Sequence, residues 1–225
     1  ENNAPGYLRT HPLSTERISD MENRILNAHY RQVADSVEFQ LVRAKLRAAR
    51  GTPQDAVADF EFQLRERKYL SEGAARYGLA GAQLRAKNFA AAERQVAELR
   101  SMKLVSPMVD TLAADLRRMQ GDLAGALKIY REARSRYVRN KALLYGQIDA
   151  QLADGQAQEA LKTATAELQL SPSDPILHGL QARSYAALGK RLQQHRAQAE
   201  LYALQGHLVA AVQQLELAQK AGDGD

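Results

Sequence analysis

The stretch Arg117-Arg118-Met119-Gln120-Gly121-Asp122-Leu123-Ala124-Gly125-Ala126 decides the fold. One apolar-periodic segment runs into Gly121 and another starts directly behind Asp122, so the glycine closes one helix and opens the next. Glycine returns at Gly155 and Gly189, at intervals of 34 residues, and alanine keeps the same interval at Ala92, Ala126 and Ala160. The repeating unit is therefore a pair of helices joined by a tight turn. A small residue is needed wherever two helix backbones approach closely, and a glycine where the chain leaves a helix with φ above zero.

A helical-hairpin period of this length resembles the tetratricopeptide repeat. The resemblance covers roughly Ser36 to Lys220. Its small positions are filled by Ala44, Ala80, Ala114, Ala182 and Ala199 in the first helices and by Ala56, Ala92, Ala126, Ala160 and Ala211 in the second. It implies an all-α superhelical array, an α-solenoid of about twelve helices, that serves as a scaffold for binding protein. The helix pairs read as residues 36–50 with 53–68, 72–86 with 89–102, 107–120 with 123–136, and 141–154 with 157–170, with Asn88 in the turn of the second pair. Ser171-Pro172-Ser173-Asp174-Pro175 then stops one helix and restarts another, with Asp174 as N-cap. Beyond it the period halves, because Gly206 follows Gly189 by 17 residues, and three helices are expected in series at 176–188, 196–205 and after Gly206. Two departures predict irregular stacking: Ile148 stands at a small site, and the first repeat runs two residues long, from Ala56 to Ala92.

With 45% apolar and 25% charged residues over 225 positions the chain can bury a sizeable core. No apolar run approaches the ~20 residues of a membrane-spanning helix, and no signal-like stretch follows Glu1. A soluble fragment or mature product is expected. Cysteine is absent, which excludes disulfides and thiolate metal sites. The net charge of +5 is spread along the chain and reads mainly as solvated helix faces.

The first 35 residues stand outside the repeat. Tyr7-Leu8-Arg9-Thr10-His11-Pro12-Leu13-Ser14-Thr15-Glu16-Arg17-Ile18 resembles the element that follows the catalytic core in HtpX-related zinc metallopeptidases, with Thr10, His11, Pro12, Arg17 and Ile18 matching. In the periplasmic BepA-like branch, tetratricopeptide repeats come directly after it. The resemblance implies a linker and long helix over 1–35 behind an absent peptidase core, an array over 36–221 and a frayed tail over 222–225. It also implies a periplasmic location, and a role in recruiting outer-membrane assembly machinery or misassembled substrates. No His-Glu-x-x-His occurs, and the five histidines are scattered. Such a site needs two imidazoles one helical turn apart with a glutamate beside the first. The chain itself is therefore expected to lack catalysis and cofactor, with zinc belonging to the parent enzyme. In that parent His11 would approach the zinc; on this chain alone it equally reads as shaping a turn before a helix at Ser14. His29, His178, His195 and His207 read as surface or packing residues.

In tetratricopeptide proteins the first helix of each pair lines a concave groove. Aligning this chain places Tyr77, Arg85, Met108, Asp115, Arg118, Tyr145, Asp149, Arg183 and Arg196 there as partner-binding candidates. Tyrosine and arginine offer large contact area or forked donors, which suits binding hot spots. About half of the set equally reads as ordinary solvated or inter-helix residues. Protein or peptide partners are expected, not nucleic acid. Two rival readings are a free-standing adaptor and, supported by the basic pI, an RNA-binding pentatricopeptide-like array.

Overall fold

A computed structural model describes residues 14–26 and 33–222. The chain divides into two units, Glu1–Ser36 and Val37–Asp225. In the first, α1 (Ser14–Leu26) leaves Ile18 56% and Met21 57% exposed and carries an Asp20–Arg24 ion pair of 2.8 Å along its surface. Thr10, His11 and Pro12 lie outside the described residues, as does His29. No described helix is long and apolar enough to cross a membrane.

The second unit is built from helix starts that the sequence marks plainly. Side chains of Thr52, Ser71, Asn88, Ser106, Asp122, Asn140 and Asp174 each accept a hydrogen bond from a first-turn amide, satisfying donors that a helix N-terminus otherwise leaves open. The helices are α2 (Val37–Ala48), α3 (Pro53–Arg65), α4 (Glu72–Arg85), α5 (Phe89–Ser101), α6 (Pro107–Met119), α7 (Leu123–Arg136), α8 (Lys141–Ala153), α9 (Ala157–Leu170), α10 (Pro175–Ala187), α11 (Arg191–Leu204) and α12 (Leu208–Gln219). With α1 they make twelve among the described residues. Gly121, Gly155, Gly189 and Gly206 all turn with φ between 72° and 86°. In the second pair Lys87, not Asn88, holds the equivalent left-handed position, with φ of 58°; Asn88 is the N-cap, as Asp122 is one repeat later.

The tail differs from expectation in one respect. α11 starts at Arg191, five residues ahead of the expected 196, because Gly189 has already closed α10 and nothing from Arg191 to His195 breaks a helix. The halved period then has a simple origin: α11 is a 14-residue helix followed by the three-residue turn Gln205-Gly206-His207. α11 packs on both α10 and α12.

First helices of successive pairs lie on one another, α2 on α4, α4 on α6, α6 on α8 and α8 on α10, whereas no second helix packs comparably on the next second helix. A row whose members are closer together forms the inside of a curve, so α4, α6, α8 and α10 line the inner face of this unit. All ten alanines at the small positions are buried, with Ala80, Ala114, Ala126 and Ala160 at 0% exposure. Ile148, at the expected irregularity, is also fully buried and joins Leu144, Ala160, Ala164 and Leu180 in the core.

Size exchange keeps the facing helices at one spacing. The second helices place Phe60, Val96, Tyr130 and Ala164 at equivalent core positions, and the following first helices oppose them with Gly78, Leu112, Gly146 and Leu180. A Cβ added at Gly78 would come within 2.2 Å of the Phe60 ring, and one at Gly146 within 2.5 Å of the Tyr130 hydroxyl. Each aromatic ring therefore lies against bare backbone. Where the second helix carries a smaller Val96 or Ala164, leucine fills the space, as close packing requires.

Candidate protein-binding face

Residues one repeat apart on the first helices share a direction, which brings Asp115, Asp149 and Arg183 into one row on α6, α8 and α10. Asp115 accepts from Arg118 at 3.2 Å and from the Tyr130 hydroxyl at 2.8 Å. Asp149 pairs with Arg183 across the α8–α10 interface. Arg118 feels both Asp115 and Asp149, and these carboxylates outweigh its partial burial, which alone would lower its pKa, and hold the guanidinium firmly protonated. Its Nε is buried without a hydrogen-bond partner. The result is a run of alternating charge, Asp115, Arg118, Asp149, Arg183, on the inner face. Arg183 keeps 60% of its side chain exposed and Asp149 keeps 37%, so this end of the run meets solvent.

Other expected groove residues are committed elsewhere. Tyr77 is 4% exposed and belongs to the core; burial, then the charge of Asp115, push its phenol up to about 12. Met108 packs half-buried against the same core. Arg85 donates to the Ala48 carbonyl and, at 3.1 Å, to the Gly51 carbonyl, tying the end of α4 to the α2–α3 turn. Tyr145 donates to Asp174 at 2.6 Å, and burial followed by that bond raises its pKa. Arg196 is on α11 and lines a crevice of about 300 Å³ with His178 and Tyr185, which lie on the side of α10 opposite Arg183. It does not belong to the row.

Asp174 was legible as an N-cap, and the structure adds a second task. It accepts from the Ile176 and Leu177 amides at 3.0 and 3.2 Å, and from Lys141 and Tyr145 at 2.6 Å each. Burial opposes its charge, yet the bonds from Lys141, Tyr145 and the helix amides together hold its carboxyl below the ordinary carboxylate value. The signal was available in spacing: Lys141 precedes Asp174 by 33 residues and Tyr145 by 29, so the cap of one first helix meets the first turns of the preceding one. Tyr130 was missed because its partner, Asp115, lies on the preceding first helix and nothing local marks the pair.

Among the described residues no three His, Asp or Glu side chains come together as a metal site. His178 bonds the Pro172 carbonyl at 2.9 Å and His195 bonds Gln214 at 2.8 Å, which are packing roles. His207 lies tilted against the Tyr202 ring.

No protein family matches the sequence, and no curated protein does. Solved structures do. A tetratricopeptide repeat protein from Parabacteroides merdae superposes with a TM-score of 0.63 at 16% identity, over 91% of this chain and 80% of that one. YrrB, described as a tetratricopeptide repeat protein with an unusual peptide-binding site, superposes with a TM-score of 0.52 at 14% identity, over 88% of this chain and 95% of that one. The fold is a tetratricopeptide-type helical solenoid.

Proposed function

We propose that this array is a protein-interaction scaffold whose inner face holds an extended segment of a protein partner along the Asp115, Arg118, Asp149, Arg183 row. The observation that carries this is the alternation of charge along helices packed directly on one another, with Arg183 and Asp149 open to solvent. Forked guanidinium donors and carboxylate acceptors in register suit a polypeptide, whose backbone offers carbonyl acceptors to the one and N–H donors to the other. YrrB, with its peptide-binding site, supports the same reading. The finer part of the proposal places the array behind a BepA-like zinc metallopeptidase core in the periplasm, recruiting outer-membrane assembly machinery or misassembled substrates. The Thr10-His11-Pro12 and Arg17-Ile18 resemblance supports that part; His11 would reach the zinc in the parent.

The two parts are tested separately. The chain immobilised on beads is exposed to envelope extract, and the captured proteins are compared with those held by Asp149→Lys/Arg183→Glu, which keeps the pair but reverses each pole. Loss of specific capture with an unchanged melt supports the inner face; identical capture overturns it. Reading the residues encoded ahead of Glu1 tests the parentage. A His-Glu-x-x-His there supports it, and its absence leaves a free-standing adaptor.

A further inference from the structure

The two-residue excess of the first repeat falls between Phe60 and Gly78, a stretch that contains the α3–α4 connection, residues 66–71, longer than the later connections at 102–106, 137–140 and 171–174. The excess has a consequence at the surface. α2 packs on α4 far more than on its own partner α3, and the long connection borders the gap this leaves, a crevice of about 370 Å³. Four cations line it, Arg43 and Arg47 from α2 and Arg67 and Lys68 from the connection, and among the described residues no carboxylate does. The walls between them carry the edge of Phe60, Leu70 and the small faces of Ala44 and Ala74, with Gln40, Gln63 and Ser71 among them. Arg47 lies over the Phe60 ring at 5.5 Å while bonded to Asp59 and Gln63. Arg67 and Lys68 have no carboxylate partner among the described residues.

We infer that this crevice binds an acidic segment of a protein partner, with one aromatic or aliphatic side chain on the exposed Leu70 and carboxylates on Arg67 and Lys68. Charge complementarity selects the occupant. Taking cations out of water against apolar walls is unfavourable unless an anion accompanies the apolar group, and a peptide bearing both satisfies both. A nucleic acid fits less well, because phosphodiester binding needs a track of unpaired cations. Beyond this crevice Arg76, Arg117, Arg134 and Arg136 are each matched to a carboxylate, Glu72, Glu93, Glu167 and Asp110 in turn. The site is separate from the inner-face row and does not depend on it.

The test uses the full chain and three fluorescent hexapeptides, acetylated and amidated so that no terminal charge contributes: EDFEDL, its neutral analogue QNFQNL, and the basic KKFKKL. Fluorescence anisotropy should show binding of EDFEDL alone, weakened about tenfold in Arg67→Gln/Lys68→Gln and unchanged in Asp149→Lys/Arg183→Glu, which separates this site from the inner face. Amide resonances of Ser71, Ala74 and Ala75 should shift during the titration, and the melt of the double glutamine variant should match the parent. Equal binding of QNFQNL, no binding of EDFEDL up to about 1 mM, or shifts confined to other helices would each overturn the inference. Displacement of EDFEDL by a single-stranded RNA at lower concentration than by unlabelled peptide would also overturn it, in favour of nucleic acid.

Discussion

Replacing Phe60 by alanine and Gly78 by leucine, singly and together, tests the size exchange that holds the facing helices at one spacing. Any side chain at position 78 starts with a Cβ 2.2 Å from Phe60 Cζ, far inside contact distance, so Gly78→Leu alone must displace the ring or the helix. Overpacking of this kind costs about 1–3 kcal/mol. Phe60 is 2% exposed, and Phe60→Ala empties a site worth about 3–5 kcal/mol. Acting independently the two would cost about 4–8 kcal/mol, a large part of the ~5–15 kcal/mol that holds a typical domain together. Together they rebuild at α3–α4 the arrangement that Ala164 and Leu180 already form at α9–α10. The double variant is expected within about 2 kcal/mol of the parent, since volume-conserving exchanges are tolerated best. Urea unfolding followed by far-ultraviolet circular dichroism measures all four proteins. The slope with denaturant must stay constant, because stacked repeats can also unfold in part. A double variant as unstable as its singles combined, or a Gly78→Ala protein with undiminished stability, would refute the reasoning.

Three further outcomes follow from particular groups. Asp174→Asn should lower stability by about 1–3 kcal/mol at neutral pH, through the weakened cap and the lost charge partner of Lys141. Because the carboxyl is held below its ordinary value in the fold, its contribution is present above the unfolded value and lost as pH falls through the folded one. Melts from neutral to about pH 3 should therefore drop more steeply for the parent than for Asp174→Asn; parallel curves would remove Asp174 from the acid response. Tyr77, pushed from 10.0 up to about 12, favours the fold while protonated. That stability should be complete below the ordinary phenol value and decline as pH rises toward the folded one, and Tyr77→Phe should lose that decline in an alkaline melt. Lys87→Gly should raise stability by about 0.5–1 kcal/mol in the same urea assay, since Lys87 sits at φ of 58° where glycine stands one repeat later; an equal or lower midpoint would show that its side chain gains something there.

Most of the array could be read directly because its information is local and periodic. A helix begins where Ser, Thr, Asn or Asp can bond its own first amides and ends where the chain must take φ above zero, and both events involve neighbours in sequence. Repetition every 34 residues then multiplied a weak signal, so Gly121, Gly155 and Gly189 with Ala92, Ala126 and Ala160 sufficed to place the pairs. The start of α11 escaped because the Ala199 and Tyr202 pattern marks the helix's packed middle, while its end depends on where Gly189 had released α10.

Pairings between helices needed the tertiary structure. Repeat arithmetic placed Asp115, Asp149 and Arg183 on one face of their helices, but whether a side chain there meets solvent or a neighbour depends on the packing of the next helix. Tyr77 is buried by α6 and its surroundings, Tyr145 is held by the cap of α10, and Arg196 points to the other side of α10; nothing in their own segments separates them from Arg183. The same holds for Phe60 with Gly78 and Tyr130 with Gly146, where a missing side chain on one helix has meaning only beside a ring on another. The basic crevice depends most on tertiary structure. Its cations come from α2 and from residues 66–71, and they face one another because α2 leans on α4 instead of α3. Local hydrogen bonding dictates where each helix begins and ends, while the distribution of side-chain volume across the whole stack dictates which of their faces remain open.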